Sequence, residues 1–121
     1  MRGNNTMPAQ YLLSNLISDL RLTVLTDIYQ DLPISHGYCC DMLSWAMSRL
    51  DGLSCWFTIL NSINVIAVAS LSGCPCIVLT ENVVMNEEVL NKARDESICV
   101  CMSDESTYDA AARLADAIKN H

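Results

Sequence analysis

The chain has 121 residues, room for one domain and not two. Apolar residues make up 51% of it, so a sizeable core can be buried and disorder over most of the length is excluded. With 7 basic and 14 acidic residues the net charge is -7, which argues against binding to a nucleic-acid backbone, where affinity rests on clustered Lys and Arg.

Residues 1–7 read as a loose polar tail, and residues 8–121 as one domain. Pro8 suits the first turn of a helix running to about Leu20, with Leu12, Leu13, Leu16, Ile17 and Leu20 at helical spacing. Leu22 to Leu25 is a short β-type run, and Thr26 to Pro33 reads as a loop. Ile34 to Cys40 is expected to be a strand or a strand plus turn. Asp41 looks like the N-cap of a helix that packs Met42, Leu43, Trp45, Ala46 and Leu50 and stops at Asp51-Gly52. In this reading Met42, Trp45 and Met47 are helix core.

Strands and helices then alternate. Cys55 to Leu60 is a strand; Ile63 to Leu71 is an apolar helix entered through Ser62 or Asn64 and ended by Ser72-Gly73. Cys74 to Thr80 is a strand, Asn86 to Glu96 an amphipathic helix, Ile98 to Met102 a strand. Ser106 to Lys119 is the last helix, with Tyr108, Ala111, Ala112, Leu114, Ala115 and Ile118 as its expected packed set. Such alternation predicts an α/β fold of three layers, α/β/α, around a mostly parallel sheet. Gly52 to Thr80 carries no charged residue, but Asn, Ser, Gly and Pro clusters divide it into pieces of strand and helix length. It reads as buried β-α-β structure rather than a membrane span.

Seven cysteines cannot pair fully within one chain, and their spacing is not that of a secreted disulfide framework. The polar N-terminus lacks an apolar signal core. Both observations point to a cytoplasmic protein with reduced thiols. Cys74-Pro-Cys76 and Cys99-Val-Cys101 could each present two thiols on one strand face, and neighbouring strands would bring four sulfurs near one another. The competing reading, preferred here, is that cysteine serves as a small buried hydrophobe. No metal ligand set and no cofactor is therefore expected.

In an open parallel sheet ligands gather at the carboxyl ends of the strands. The candidates there are Asn61, Ser62 and Asn64, then Thr80, Glu81 and Asn82, then Ser103. Ser62 and Asn64 also begin a helix, where free backbone N–H groups attract anions, although capping alone would account for them. His36, Gly37 and Asp41 complete the candidate set. His121, the last residue, is expected to be loose. The four glycines form no phosphate loop, and no nucleophile with a matching base is recognisable, so no catalytic residue is assigned.

Gly37-Tyr38-x-x-Asp41-x-Leu43-Ser44-x-x-Met47, Trp56-x-Thr58-Ile59, the run Asn64 to Leu71 and the Ile77-Val78-Leu79 strand together resemble the DRTGG domain, here as a stand-alone domain over 8–121. The resemblance implies the α/β/α fold of the N-terminal domain of HPr kinase/phosphorylase and of MurF-type ligases. It implies a non-catalytic regulatory, ligand-sensing or protein-interaction module, since the kinase domain is absent. In relatives such domains lie between CBS domains of regulated pyrophosphatases and contribute to a dimer interface, so a homodimer is the expected assembly. The alternatives are an adenine-nucleotide-binding domain and a thiol metal or redox-associated protein with a redox or signalling partner. The chain departs from the family's Asp-Arg-x-x-Gly-Gly signature: it has Asp31-Leu32-Pro33-Ile34-Ser35-His36-Gly37. Where relatives carry Gln-Thr-His after the Thr58-Ile59 strand, it has Leu60-Asn61-Ser62. By the same resemblance Cys74, Cys76 and Cys101 fall at core positions.

Overall fold

A computed structural model describes residues 9–121; the expected tail and Pro8 lie outside the described residues. Five helices and five strands follow in the order α1 (Leu13–Asp19), β1 (Thr23–Val24), β2 (His36–Cys39), α2 (Leu43–Arg49), β3 (Ser54–Thr58), α3 (Ile63–Ser72), β4 (Cys76–Leu79), α4 (Glu87–Asp95), β5 (Cys99–Met102) and α5 (Thr107–Lys119). The sheet order is β1-β5-β4-β3-β2, with β1 antiparallel to β5 and the other neighbours parallel.

From β2 to β5 each strand is laid down on the same side of the one before it. Right-handed crossovers in a constant direction put their helices on one face. Accordingly Ala46 and Leu50 of the α2 segment, Val65, Ile66 and Ala69 of α3, and Val89, Leu90 and Ala93 of α4 share one core with Trp56, Ile77, Leu79 and Val100 of the strands. The other face carries Cys55, Phe57, Cys76, Val78, Cys99 and Cys101, covered by Leu13 and Leu16 of α1 and Ala110 and Leu114 of α5. Alternate residues of each strand supply the two faces, as strand geometry requires. The central strands β3 and β4 are buried along their whole length. This is the expected three-layer α/β fold.

Several local expectations are corrected. The first helix begins at Leu13, because Leu12 bridges to Pro33 and the Asp31 carboxylate accepts from both the N–H and hydroxyl of Ser14 at 2.8 Å. Asp41 is not the N-cap of α2; that position is Met42. Met42, Trp45 and Met47 are 55%, 50% and 39% exposed rather than core, and Trp45 instead lies under the Arg49 guanidinium at 4.5 Å. In α5 the packed residues are Ala110 and Leu114, supported by Ala111, Ala117 and Ile118, while Tyr108, Ala112 and Ala115 face outward. His121 is not loose: its ring meets Tyr11 edge-on, with centroids 5.2 Å apart. Asn86 and Ser106 do cap α4 and α5, accepting from Val89 and Asp109 N–H groups.

Candidate functional site

The carboxyl ends of β2, β3, β4 and β5 lie along one edge of the sheet and bring most of the sequence-predicted site residues together. Asp41 follows β2 and reaches across to β3. One of its carboxylate oxygens accepts from Thr58 Oγ1 at 2.7 Å and from the Ile59 N–H at 3.0 Å. The Thr58 hydroxyl in turn accepts from the Leu60 N–H at 3.1 Å. This fixes how the chain leaves β3 and enters α3.

Ser62 is the N-cap of α3, but its side chain makes no capping bond, and Asn64 lies in the first turn with its side chain exposed. Asn61 is pinned: its side-chain NH2 donates to the Val84 carbonyl at 2.8 Å and so joins the loop after β3 to the loop after β4. Thr80 is buried and shares a hydrogen bond of 2.5 Å with Thr107 at the start of α5.

Glu81 and Asn82 have φ of 58° and 60°, a left-handed conformation that is uncommon for residues other than glycine and for Asn less so. Two backbone bonds hold them there: the Glu81 N–H donates to the Glu105 carbonyl at 2.8 Å and the Asn82 N–H to the Ser103 carbonyl at 2.9 Å. Ser103 is buried and its hydroxyl accepts from the Glu105 N–H. Hydrogen bonds with Arg113, and its positive charge, hold the Glu105 carboxyl below the usual carboxylate range. Glu81 and Asn82 leave their side chains exposed at this edge.

His36 and Gly37 are not part of that group. They begin β2, at the amino edge of the parallel strands, where His36 pairs with Ser54 in register and its Nε2 lies 3.2 Å from Asp51. Gly37 has a packing role. A Cβ there would lie 2.9 Å from Phe57 Cε2 and 3.2 Å from Leu114 Cδ2, so the bare backbone lets the ring and α5 close onto β2. Beside it a groove of about 300 Å³ runs between β2 and α5, lined in part by His36, Cys39, Leu114 and Ile118.

A larger cavity of about 400 Å³ also lies toward the amino edge, between the loop after β1 and the end of α4. Its walls include Thr26, Tyr29, Arg94 and Ile98. Sequence reasoning missed it because the walls come from segments nearly seventy residues apart, and no motif marks them. Arg94 holds the loop in place by donating to the Leu25 and Thr26 carbonyls and pairing with Asp27.

Of the two C-x-C pairs only one presents its thiols together. Cys74 precedes β4 and packs into the α2–α4 core, its Sγ donating to the Ser54 and Cys76 carbonyls. Burial pushes that thiol up to about 12. Cys76 lies on the opposite face, where its register partners are Cys55 on β3 and Cys99 on β5. Cys99 and Cys101 share its face, and the sulfurs of Cys76, Cys99 and Cys101 all lie within 4.8 Å of one another.

No known family profile and no curated protein matches the chain. Among solved structures it is similar to the CBS and DRTGG domains of the regulatory region of Clostridium perfringens pyrophosphatase, complexed with its activator diadenosine tetraphosphate. The likeness has a TM-score of 0.69 at 11% identity and covers 87% of this chain and 46% of that one. This chain thus spans less than half the length of its structural neighbour, and it shares with that regulatory region an α/β fold of the CBS and DRTGG kind.

Proposed function

We propose that this chain is a non-catalytic regulatory module that senses a small ligand at the carboxyl edge of its sheet. The observation that carries the reading is the fold, which over 87% of the chain resembles a regulatory region bound to an activator. The arrangement of the edge supports it. The hydroxyls of Thr58 and Thr80 are engaged with Asp41 and Thr107, and both histidines lie elsewhere, His36 at the opposite edge and His121 against Tyr11. That leaves exposed hydrogen-bonding groups without an acid–base pair: Ser62 and Asn64 at the opening of α3, and Glu81 and Asn82 on a turn held in left-handed geometry. Strain of this kind clusters at ligand sites.

Within this reading the ligand is an adenine nucleotide, the class that the neighbour's activator exemplifies, with phosphate directed at the opening of α3. The test is thermal unfolding with AMP, ADP, ATP and diadenosine tetraphosphate, against a guanine nucleotide. A ligand present at about a hundredfold its Kd adds about 2.7 kcal/mol of stability. The expected result is a rise in Tm with one of the adenine compounds that Ser62→Ala with Asn64→Ala abolishes. No rise with any of them removes the nucleotide from the proposal, and a rise unaffected by the double variant moves the site.

A second reading, that the module works as a homodimer, is favoured by the outward apolar surface of the α2 segment, where Met42 and Trp45 are half-exposed. Light scattering should give twice the chain mass, and Trp45→Glu should halve it without loss of helix content. A wild-type monomer at working concentration refutes the dimer.

A further inference from the structure

The face of the sheet opposite α2, α3 and α4 contains a group of sulfurs that the regulatory reading does not use. Cys76 and Cys99 face one another across β4 and β5, and Cys101 follows two residues on along the same face. Cys99 Sγ and Cys101 Sγ are 3.6 Å apart, and no pair among the three exceeds 4.8 Å. All three residues are buried, at 0%, 2% and 0% exposure. The hydrophobic residues packed with them on this face include Leu13, Leu16, Phe57, Val78 and Leu114.

We propose that Cys76, Cys99 and Cys101 form a three-coordinate thiolate site for monovalent copper. Donor chemistry limits the choice. The three donors are soft sulfur, which selects copper(I), zinc or iron–sulfur clusters over hard cations. Zinc closes structural sites with four ligands, and Cys55, the next thiol in the row, stands outside the close group. A cluster needs room for its own iron and sulfide, whereas this face is packed by α1 and α5. A planar three-coordinate ion with metal–sulfur bonds of about 2.3 Å spaces its sulfurs about 4.0 Å apart. That spacing falls between the closest contact and the outer limit of the group.

Binding replaces all three thiol protons: copper(I) plus three protein thiols gives the three-coordinate copper thiolate, with a net charge of -2, plus three released protons, and no electron is transferred.

There is also a way in. Thr26 and Tyr29 line the 400 Å³ cavity on one side. On the other, Tyr29 packs against the core that contains the sulfurs, and Thr26 Oγ1, accepting from the Val100 N–H at 3.2 Å, lies beside Cys99. Displacement of this short loop brings solvent to Cys99 without unfolding the sheet.

The test is anaerobic titration of the reduced full chain with copper(I), in competition with a chromophoric copper(I) chelator, and in parallel with zinc. The Cys39→Ser and Cys40→Ser background removes the thiols that are not buried. Expected are one copper per chain, a thiolate-to-copper band in the ultraviolet, and an X-ray absorption edge with sulfur neighbours only. Cys76→Val and Cys99→Val, shape-conserving and each checked for native circular dichroism, should abolish tight binding. Folded wild-type protein that leaves copper with the chelator overturns the proposal. So does uptake that survives both substitutions, or preferential uptake of one zinc, which would mean a four-sulfur site including Cys55. None of these outcomes depends on nucleotide binding at the other edge.

Discussion

Gly37 shows how much can rest on one missing atom. In the sequence it belongs with His36 as a candidate ligand contact, but in the fold it is the point where Phe57 and Leu114 press on β2. Gly37→Ala forces the buried ring or α5 to move, and overpacking of this kind costs about 1–3 kcal/mol. Urea unfolding should report that loss while ligand binding at the carboxyl edge is unchanged. At the same corner the Leu53 N–H, the Ser54 hydroxyl and His36 all favour the charged form of Asp51 and hold its carboxyl below the usual range. A folded pKa below the unfolded one contributes stability above the unfolded value and loses it as pH falls through the folded value. Asp51→Asn should therefore flatten the acid limb of the stability–pH curve and leave the alkaline limb alone, as measured by urea midpoints at descending pH.

Among the elements, α3 depends on its ends more than on amphipathic pattern. It lies against β3 and β4 with Val65, Ile66, Val68 and Ala69 buried, and its last turn is closed by Gly73 at φ 77°. The Gly73 N–H donates to Ser70 and the Cys74 N–H to Ala69, so the chain turns at once into β4. Gly73→Ala places a Cβ in left-handed backbone and should cost about 1 kcal/mol, seen as a lower Tm with an unchanged unfolding slope. The Ser72-Gly73 stop was legible in the sequence because αL caps are a local preference. The α1 start was not, because Asp31, seventeen residues away, decides it.

For the whole molecule the two faces of the sheet make different predictions about the thiols. All seven cysteines are free; five are buried, Cys39 is exposed and Cys40 partly so. Two thiols should react quickly with an aromatic disulfide reagent and five slowly. Arg94→Ala unties the loop after β1, and should speed the reaction of Cys99 while Cys74, behind the helices of the other face, stays slow. Mass-resolved labelling separates the two. Equal acceleration of both would mean that Arg94 stabilises the whole fold and not the loop.

The sequence by itself determined the succession of strands and helices, the polar residues at the strand ends and the free state of the thiols. These are properties of periodicity, capping and composition, and they act over a few residues. Only the tertiary structure decided which strands are neighbours, and hence that Cys76 meets Cys99 and Cys101 while Cys74 turns to the other core. It likewise put His36 and Gly37 at the edge away from Asn61, Thr80 and Ser103, and opened the cavity under Arg94. Those outcomes follow from strand order and register, which arise from long-range packing of two helical layers on one sheet and leave no signature in local sequence.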